Sequence, residues 1–150
     1  MPQSLVRLIG HLVFSTHKRV PWIDSNVRAA LHAYMAGILE RERCREVLLG
    51  GTGDHVHVVA VLAKDVAPIK IVEVLKKRSS AWMKQQDARY QDFYWQAGYA
   101  LFSVSPSNLK AVRDYVSDQA AHHQKMTFQE ELRILLKRHG LDLDERYAWD

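Results

Sequence analysis

Gly50-Gly-Thr-Gly-Asp54 runs directly into His55-Val-His-Val58, so that a glycine-rich segment is followed by a run of β-branched residues. Glycine and aspartate favour tight turns and β-branched residues favour strands, which predicts a β-hairpin between strands at residues 45–49 and 55–63. Successive side chains of a strand point to opposite faces, so His55 and His57 share one face. Two imidazoles on one face can bind one metal ion. The spacing by itself slightly favours the simpler alternative, a pair of exposed strand histidines.

Further elements are predicted on both sides of this hairpin. Hydrophobic periodicity and turn residues place the remaining strands at residues 5–16 and 99–104, and helices at residues 24–43, 68–86, 109–123 and 127–140. Asp24 or Ser25 is the expected N-cap of the first helix, and Pro68 suits the first turn of the second. Thr127, with Glu130 three residues later, has the pattern of a capping box.

The order of these elements predicts an α+β fold of the ferredoxin-like kind. A β-α-β-β-α-β order forms a four-stranded antiparallel sheet with both crossover helices on one face, and the first and third strands lie in its centre. His55 and His57 are then expected on the other face, which the C-terminal helices can cover. No linker or repeat divides the chain, so residues 1–150 are expected to form one domain.

The composition is that of a globular protein with a mild basic bias. The chain has 150 residues, of which 47% are hydrophobic, and 21 Lys and Arg residues against 17 Asp and Glu residues give a net charge of +4. This charge permits nucleic acid as a partner without establishing it. Cys44 is the only cysteine, which excludes an intrachain disulfide and a four-cysteine zinc site. Neither a bilayer-spanning run nor a signal peptide is recognised, so we expect a cytoplasmic protein without a membrane partner.

A second group of polar residues, Tyr115-Val-Ser-Asp-Gln119, lies on a predicted helix. Tyr115 and Gln119 are four residues apart and therefore project from the same side of that helix. If the helix crosses the open sheet face, Gln119 Oε1 can complete a three-ligand set with His55 and His57, and Tyr115 lies one turn away. The alternatives are a core position for Tyr115 and either His122 or His123 as the third ligand. His11, on the first strand, is interpreted as a packed or exposed histidine.

These side chains suit phosphoryl transfer at a metal site. Two imidazoles and an amide carry no charge, so they would hold Mg²⁺ or Mn²⁺ weakly until phosphate oxygens arrive. A divalent ion polarises a phosphate and stabilises the charge of its transition state. A tyrosine that attacks a phosphate keeps the bond energy in a phosphotyrosine link, so a second hydroxyl can rejoin the strands.

The chain resembles the single-tyrosine HUH transposases of the insertion-sequence 200/605 group, which include repeat-associated tyrosine transposases. HUH denotes two histidines that flank a hydrophobic residue. This triplet alone is a weak signal of the family, but it is a strong one when Tyr-x-x-x-Gln follows on a helix. The stretches that carry the resemblance are Phe14-Ser-Thr-His-Lys-Arg19, Asp54-His-Val-His57, Phe93-Tyr-Trp-Gln-Ala-Gly-Tyr99, Ser103-Val-Ser-Pro-Ser-Asn108, Tyr115-Val-Ser-Asp-Gln119 and Phe128-Gln-Glu-Glu131.

The resemblance implies a role for each matching residue. His55, His57 and Gln119 correspond to the metal ligands, for Mg²⁺ or Mn²⁺, and Tyr115 corresponds to the nucleophile that keeps the 5′-phosphate. The implied substrate is single-stranded DNA, in part the folded hairpin ends of a mobile element. The implied assembly is a homodimer in which the tyrosine helix of one subunit completes the histidine site of the other. Asp118 departs from the family pattern, in which Asn often precedes the Gln.

Basic residues provide candidate phosphate contacts, which fix the position of the DNA and give salt dependence rather than sequence choice. The candidates are Arg7, Lys18, Arg19, Lys76, Lys77 and Arg78. Other functions stay open at this point: a ferredoxin-like single-stranded nucleic-acid-binding protein without catalysis, a metal-dependent hydrolase that does not need Tyr115, and an HUH nickase or replication initiator. An active transposase and a domesticated repeat-processing relative would share these residues.

Overall fold

The computed structural model describes residues 2–146 and 148–149. The strands are β1 (Leu8–Ser15), β2 (Arg45–Gly51), β3 (His55–Leu62) and β4 (Ala100–Val104). The helices are α1 (Arg28–Arg41), α2 (Pro68–Gln86), α3 (Leu109–Ser117), α4 (Gln119–His122) and α5 (Phe128–Arg138). The strands form one four-stranded sheet in the order β2-β3-β1-β4, and all neighbouring pairs are antiparallel. The predicted ferredoxin-like α+β fold, with β1 and β3 in the centre, is confirmed.

One face of the sheet is apolar and is covered by α1 and α2. Phe14 of β1 and Val56 of β3 are opposite each other in the register and are fully buried. Leu31 and Met35 of α1 and Leu75 of α2 pack into the same cluster and are also fully buried. Burial of one such side chain contributes about 1.5–3 kcal/mol, so this layer provides a large part of the folding free energy.

The other face contains the two histidines and is covered by the C-terminal helices. His57 of β3 is opposite Val13 of β1. Val13 packs in one cluster with Phe102 of β4 and with apolar residues of α5, namely Phe128, Leu132, Leu135 and Leu136. Helix α3 packs on the same face through Val116. The C-terminal helices therefore close over the histidine face, as the sequence predicted.

Gly50 allows α3 to lie directly on the edge of the sheet. A Cβ atom added at Gly50 would lie 1.8 Å from the carbonyl oxygen of Val116. Because that oxygen belongs to the backbone of α3, no side-chain rotation can relieve the overlap. Position 50 must therefore be a glycine for α3 to pack this closely against β2.

Two local features differ from the sequence prediction. The predicted helix over residues 109–123 is interrupted at Asp118, whose φ of −104° and ψ of 27° separate α3 from α4. Helix α1 begins at Arg28 without a side-chain cap, so the predicted capping by Asp24 or Ser25 is wrong. Asp24 instead accepts a hydrogen bond from the Tyr90 hydroxyl at 2.9 Å.

The start of α5 agrees with the prediction, because the Thr127 side chain accepts a hydrogen bond from the Glu130 amide at 3.2 Å. Among the described helices, none is both long enough and apolar enough to cross a bilayer.

Candidate active site

The Nε2 atoms of His55 and His57 point toward the same group of polar side chains under the C-terminal helices. Both histidines are fully buried. His55 Nε2 lies 3.0 Å from Gln119 Oε1, and His57 Nε2 lies 2.8 Å from Glu131 Oε1. Glu131 Oε1 is also 3.5 Å from His55 Nε2. The strand therefore places the two imidazoles together, and α4 and α5 each bring an oxygen to them.

The other nitrogen of each histidine ring already has a partner. His55 Nδ1 lies 2.7 Å from Asp54 Oδ1 and 3.1 Å from Thr52 Oγ1. His57 Nδ1 lies 2.8 Å from His11 Nε2, and the two rings stack with centroids 5.0 Å apart. A partner at Nδ1 fixes the ring orientation and leaves the Nε2 lone pair available for a metal, as in many metal sites.

Burial keeps His57 and His11 neutral. It lowers the pKa of His57 to about 4, although the Glu131 carboxylate acts in the opposite direction. It lowers the pKa of His11 to about 3, with the neighbouring His57 adding to the effect. Neutral imidazoles are the form that binds metals. The interpretation of His11 as a merely packed or exposed residue therefore missed its contact with His57.

Glu131 is the central residue of the site and was not singled out from the sequence. It is 1% exposed, and its Oε2 accepts the hydrogen bond of the Tyr115 hydroxyl. Burial alone would raise the pKa of Glu131, but hydrogen bonds with His123 and His57 hold it far below the usual range. A signal was available: Glu131 lies between Phe128 and Leu132 on the apolar stripe of an amphipathic helix, where a carboxylate needs a buried partner.

His123 lies in the same cluster. Its Nε2 is 3.1 Å from Gln119 Oε1 and 3.1 Å from Glu131 Oε1. His122 instead packs its ring against Tyr115, with centroids 4.5 Å apart. Of the two alternative third ligands considered from the sequence, the structure brings only His123 to the oxygens beside the histidine pair.

Tyr115 reaches this cluster from α3 of the same chain. Its ring centroid is 5.8 Å from that of His57 and 6.2 Å from that of His11. Burial raises the pKa of Tyr115, and the negative charge of Glu131 raises it further, so the phenol holds its proton at neutral pH. The exchange of this helix between subunits, implied by the family resemblance, stays a prediction.

The donor atoms fit a divalent metal ion. The ligand atoms of His55, His57 and Glu131 lie within 4.8 Å of one another. Two oriented imidazoles and one carboxylate form a mixed nitrogen and oxygen set that suits first-row ions such as Mn²⁺. The set carries one negative charge, unlike the neutral set of two histidines and Gln119 expected from the sequence. Gln119 Oε1, 3.0 Å from His55 Nε2, adjoins the same group of donor atoms.

Three of the predicted phosphate contacts lie on α2, on the opposite side of the sheet from the histidines. Lys76 Nζ donates to the carbonyl oxygens of Gln96 at 2.8 Å and Gly98 at 2.6 Å. Burial lowers the pKa of Lys76 to about 8. The Lys76 side chain thus stabilises the loop that precedes β4, whereas the side chains of Lys77 and Arg78 are exposed.

The other three candidates lie around β1. Arg7 forms an ion pair with Glu46 at 3.1 Å, and both side chains are half exposed. Lys18 and Arg19 lie in a short 3-10 turn that follows β1. The Arg19 guanidinium donates to the Trp149 carbonyl at 3.3 Å. Of the six predicted phosphate contacts, three have side chains without a hydrogen bond or ion pair to the described part of the chain, namely Lys18, Lys77 and Arg78.

Sequence comparison identifies the family. Residues 4–119 match the family described as Transposase IS200 like, a span that includes the HUH histidines, Tyr115 and Gln119 but ends before α5. The chain belongs to the IS200-like transposases. Transposases cleave and rejoin DNA, so the family supplies the general class of the activity. No curated protein sequence matches the chain.

Solved structures show the same fold. A protein from Deinococcus radiodurans R1, provisionally described as a transposase, is 20% identical and has a TM-score of 0.59; the match covers 79% of this chain and 98% of that one. A REP-associated tyrosine transposase, bound to a REP hairpin, is 12% identical and has a TM-score of 0.58; the match covers 100% of this chain and 90% of that one. Because both identities are below 25%, these two matches show a shared fold only, and the family assignment rests on the sequence match.

Proposed function

We propose that this IS200-like transposase cleaves and rejoins single-stranded DNA through a phosphotyrosine intermediate at Tyr115, in a reaction that depends on a divalent metal ion. The observation that carries the proposal is that a tyrosine, a carboxylate and a histidine of one chain are in contact. Glu131 accepts a hydrogen bond from Tyr115 through Oε2, and its Oε1 lies 2.8 Å from His57 Nε2. A candidate nucleophile thus meets a candidate metal site through a single carboxylate.

We assign His55, His57 and Glu131 as the residues that hold the metal, with Gln119 and His123 within reach of the same position. The chemistry that Mg²⁺ or Mn²⁺ supplies when bound there is Lewis-acid polarisation of a phosphate. The protein supplies the orientation, because Asp54 and His11 hold the two histidine rings.

The covalent step is a transesterification. The phenol oxygen of Tyr115 forms a bond to phosphorus, and the bond from phosphorus to the 3′-oxygen of the preceding nucleotide breaks. The released 3′-oxygen takes a proton, and the phenol gives one up; Glu131 Oε2 is an acceptor already in contact with that proton. Because the phosphodiester energy stays in the tyrosine link, a second 3′-hydroxyl can reverse the step without ATP.

The proposed substrate is single-stranded DNA with hairpin structure at the ends of a mobile element. The REP-associated relative that shares the fold is bound to a hairpin, and the net charge of +4 favours a polyanionic partner. The whole chain is proposed to act as one domain in the cytoplasm. An HUH nickase or replication initiator would use the same chemistry on another DNA.

The test of the nucleophile is a covalent adduct. The protein is incubated with 3′-labelled single-stranded hairpins that carry randomised flanks, in the presence of Mn²⁺, and is then denatured. We expect a labelled adduct with the native chain and none with Tyr115→Phe. Tyr94→Phe is the matched control, because Tyr94 is 58% exposed. An adduct that persists in Tyr115→Phe contradicts the assignment.

Other outcomes would favour the alternative functions. Turnover of DNA by Tyr115→Phe without an adduct would indicate a hydrolase, and tight binding without cleavage would indicate a binding protein.

The exchange of the tyrosine helix within a homodimer, implied by the family resemblance, is tested by mixing Tyr115→Phe and His57→Ala chains. Recovery of activity requires exchange of the tyrosine helix between subunits, whereas continued inactivity indicates that each chain uses its own tyrosine.

A further inference from the structure

A cavity of about 330 Å³ lies between α3 and α5, above β4, and Tyr115 forms part of its wall. Pockets that hold small molecules begin at roughly 300 Å³. This α3–α5 cavity lies beside the candidate nucleophile, and the function proposed above gives it no role. The other lining residues that matter for its chemistry are Phe102, Asn108, Val112, Leu135, Arg138 and His139.

The inner walls of the cavity are apolar and partly aromatic. Val112 of α3 and Leu135 of α5 line opposite sides. The Phe102 ring stacks on His139, with centroids 4.3 Å apart and an angle of 16° between the planes. Apolar walls of this kind suit an unpaired base, because the base leaves water for contact with apolar side chains.

The rim of the cavity is polar and positively charged. The Arg138 side chain is exposed and makes no ion pair or hydrogen bond with the described part of the chain. Arg138 and Tyr115 line the same cavity, which places the guanidinium on the side of the nucleophile. An unpaired guanidinium near the nucleophile is suited to a phosphate of the bound strand.

We propose that the α3–α5 cavity binds the nucleotide next to the phosphate that Tyr115 attacks, with its base between Val112 and Leu135 and a phosphate at Arg138. This inference rests on the function proposed above for Tyr115. The base must be unpaired to enter, so the cavity selects single-stranded DNA near the cleavage position. The Asn108 side chain, which makes no hydrogen bond to the described residues, is available at the rim for a base edge.

The first experiment measures binding without cleavage. The native protein is held in EDTA, and its affinity for a single-stranded dT10 oligonucleotide is compared by fluorescence anisotropy with that for an abasic strand of the same length. We expect dT10 to bind roughly ten-fold more tightly, because one base is buried against the apolar walls of the cavity. Equal affinities would overturn the proposal.

A pair of charge variants tests the phosphate contact. Arg138→Gln should lower the slope of log affinity against log salt by about 0.7, the value for one phosphate contact on a single strand. Lys137→Gln removes the same charge from the adjacent exposed position, which does not line the cavity, and should leave the slope nearly unchanged. Equal losses in the two variants would indicate diffuse attraction and no specific site.

A pair of size variants tests the base contact. Ala111→Trp fills the cavity and should reduce the affinity for dT10 to that for the abasic strand. Ala33→Trp is the matched control, an exposed alanine on α1 at the other face of the sheet. Methyl NMR of the native protein gives an independent result: signals of Val112 and Leu135 should shift with dT10 and stay in place with the abasic strand. If these methyl signals stay in place with both strands, the proposal is wrong.

The two proposals can fail separately. These measurements involve no metal and no cleavage, so a base-binding cavity would be detected even if Tyr115→Phe still formed an adduct. Conversely, suppose that the native chain forms the adduct and Tyr115→Phe does not, while dT10 and the abasic strand bind equally. Only the cavity proposal would then be wrong.

Discussion

The two faces of the sheet differ in what they bury. On the face covered by α1 and α2, Phe14 and Val56 meet other apolar side chains. On the other face, His55, His57 and Glu131 are buried together with hydrogen-bond partners. An apolar side chain packs against many different apolar neighbours. A buried polar group that lacks its hydrogen-bond partner instead lowers the stability by about 1–3 kcal/mol. The first face therefore stabilises the fold, and the second positions the chemistry.

The largest effect is expected from truncation on the apolar face. Leu75→Ala removes a fully buried side chain of α2 and should lower the free energy of unfolding by about 2–5 kcal/mol. Urea denaturation gives the value. The affinity for Mn²⁺ should be unchanged at temperatures where the variant is folded.

Ile69→Ala is the control for this prediction, because Ile69 lies on the same helix and is 65% exposed. It should change stability by no more than about 0.5 kcal/mol. If Leu75→Ala weakens Mn²⁺ binding substantially, the two faces are coupled and the comparison fails.

The second effect is expected on the polar face and concerns metal affinity. Glu131→Gln keeps the shape of the side chain but removes the carboxylate next to His57, so the affinity for Mn²⁺ should fall by roughly 100-fold. Isothermal titration calorimetry without DNA measures it directly. Glu130→Gln, on the exposed neighbouring residue, should bind Mn²⁺ like the native chain. Unchanged binding by Glu131→Gln would leave Gln119 as the third ligand, as the sequence originally suggested.

The third effect is expected where α3 crosses the sheet edge. Gly50→Ala forces the Val116 carbonyl to move, because the added Cβ would lie 1.8 Å from it. We expect a loss of about 1–3 kcal/mol in the free energy of unfolding and slower adduct formation, since α3 carries Tyr115. Gly98→Ala is the matched control, with no atom within 4 Å of its added Cβ. Similar stability of the two variants would show that α3 does not need the close approach.

How much of the structure could be predicted depends on how far apart the contacting residues lie along the sequence. Alternation within one strand was enough to place His55 and His57 together, and the order of elements was enough to predict the sheet. The contacts of Glu131 with His57 and of His11 with His57 join residues 74 and 46 positions apart. No local pattern specifies such pairs, because they depend on how α5 and β1 lie against β3.

The break at Asp118 was missed for a related reason. No proline or glycine lies between Tyr115 and Gln119 to mark the end of a helix. The break becomes visible only when α3 is fixed on the sheet by Val116 and Gln119 is directed at His55. The break therefore lies between two tertiary contacts that the local sequence does not specify.

The smallest effect is expected at His11, which contacts the metal site only through His57. His11→Phe keeps an aromatic ring but removes the atom that lies 2.8 Å from His57 Nδ1, so Mn²⁺ affinity should fall by roughly ten-fold. His11→Gln restores an acceptor oxygen and should recover most of the loss. A purely structural role would give equal stability losses in both variants without a difference in metal affinity. Recovery by Gln, measured by calorimetry, would instead show that the hydrogen bond at Nδ1 orients His57 toward the metal.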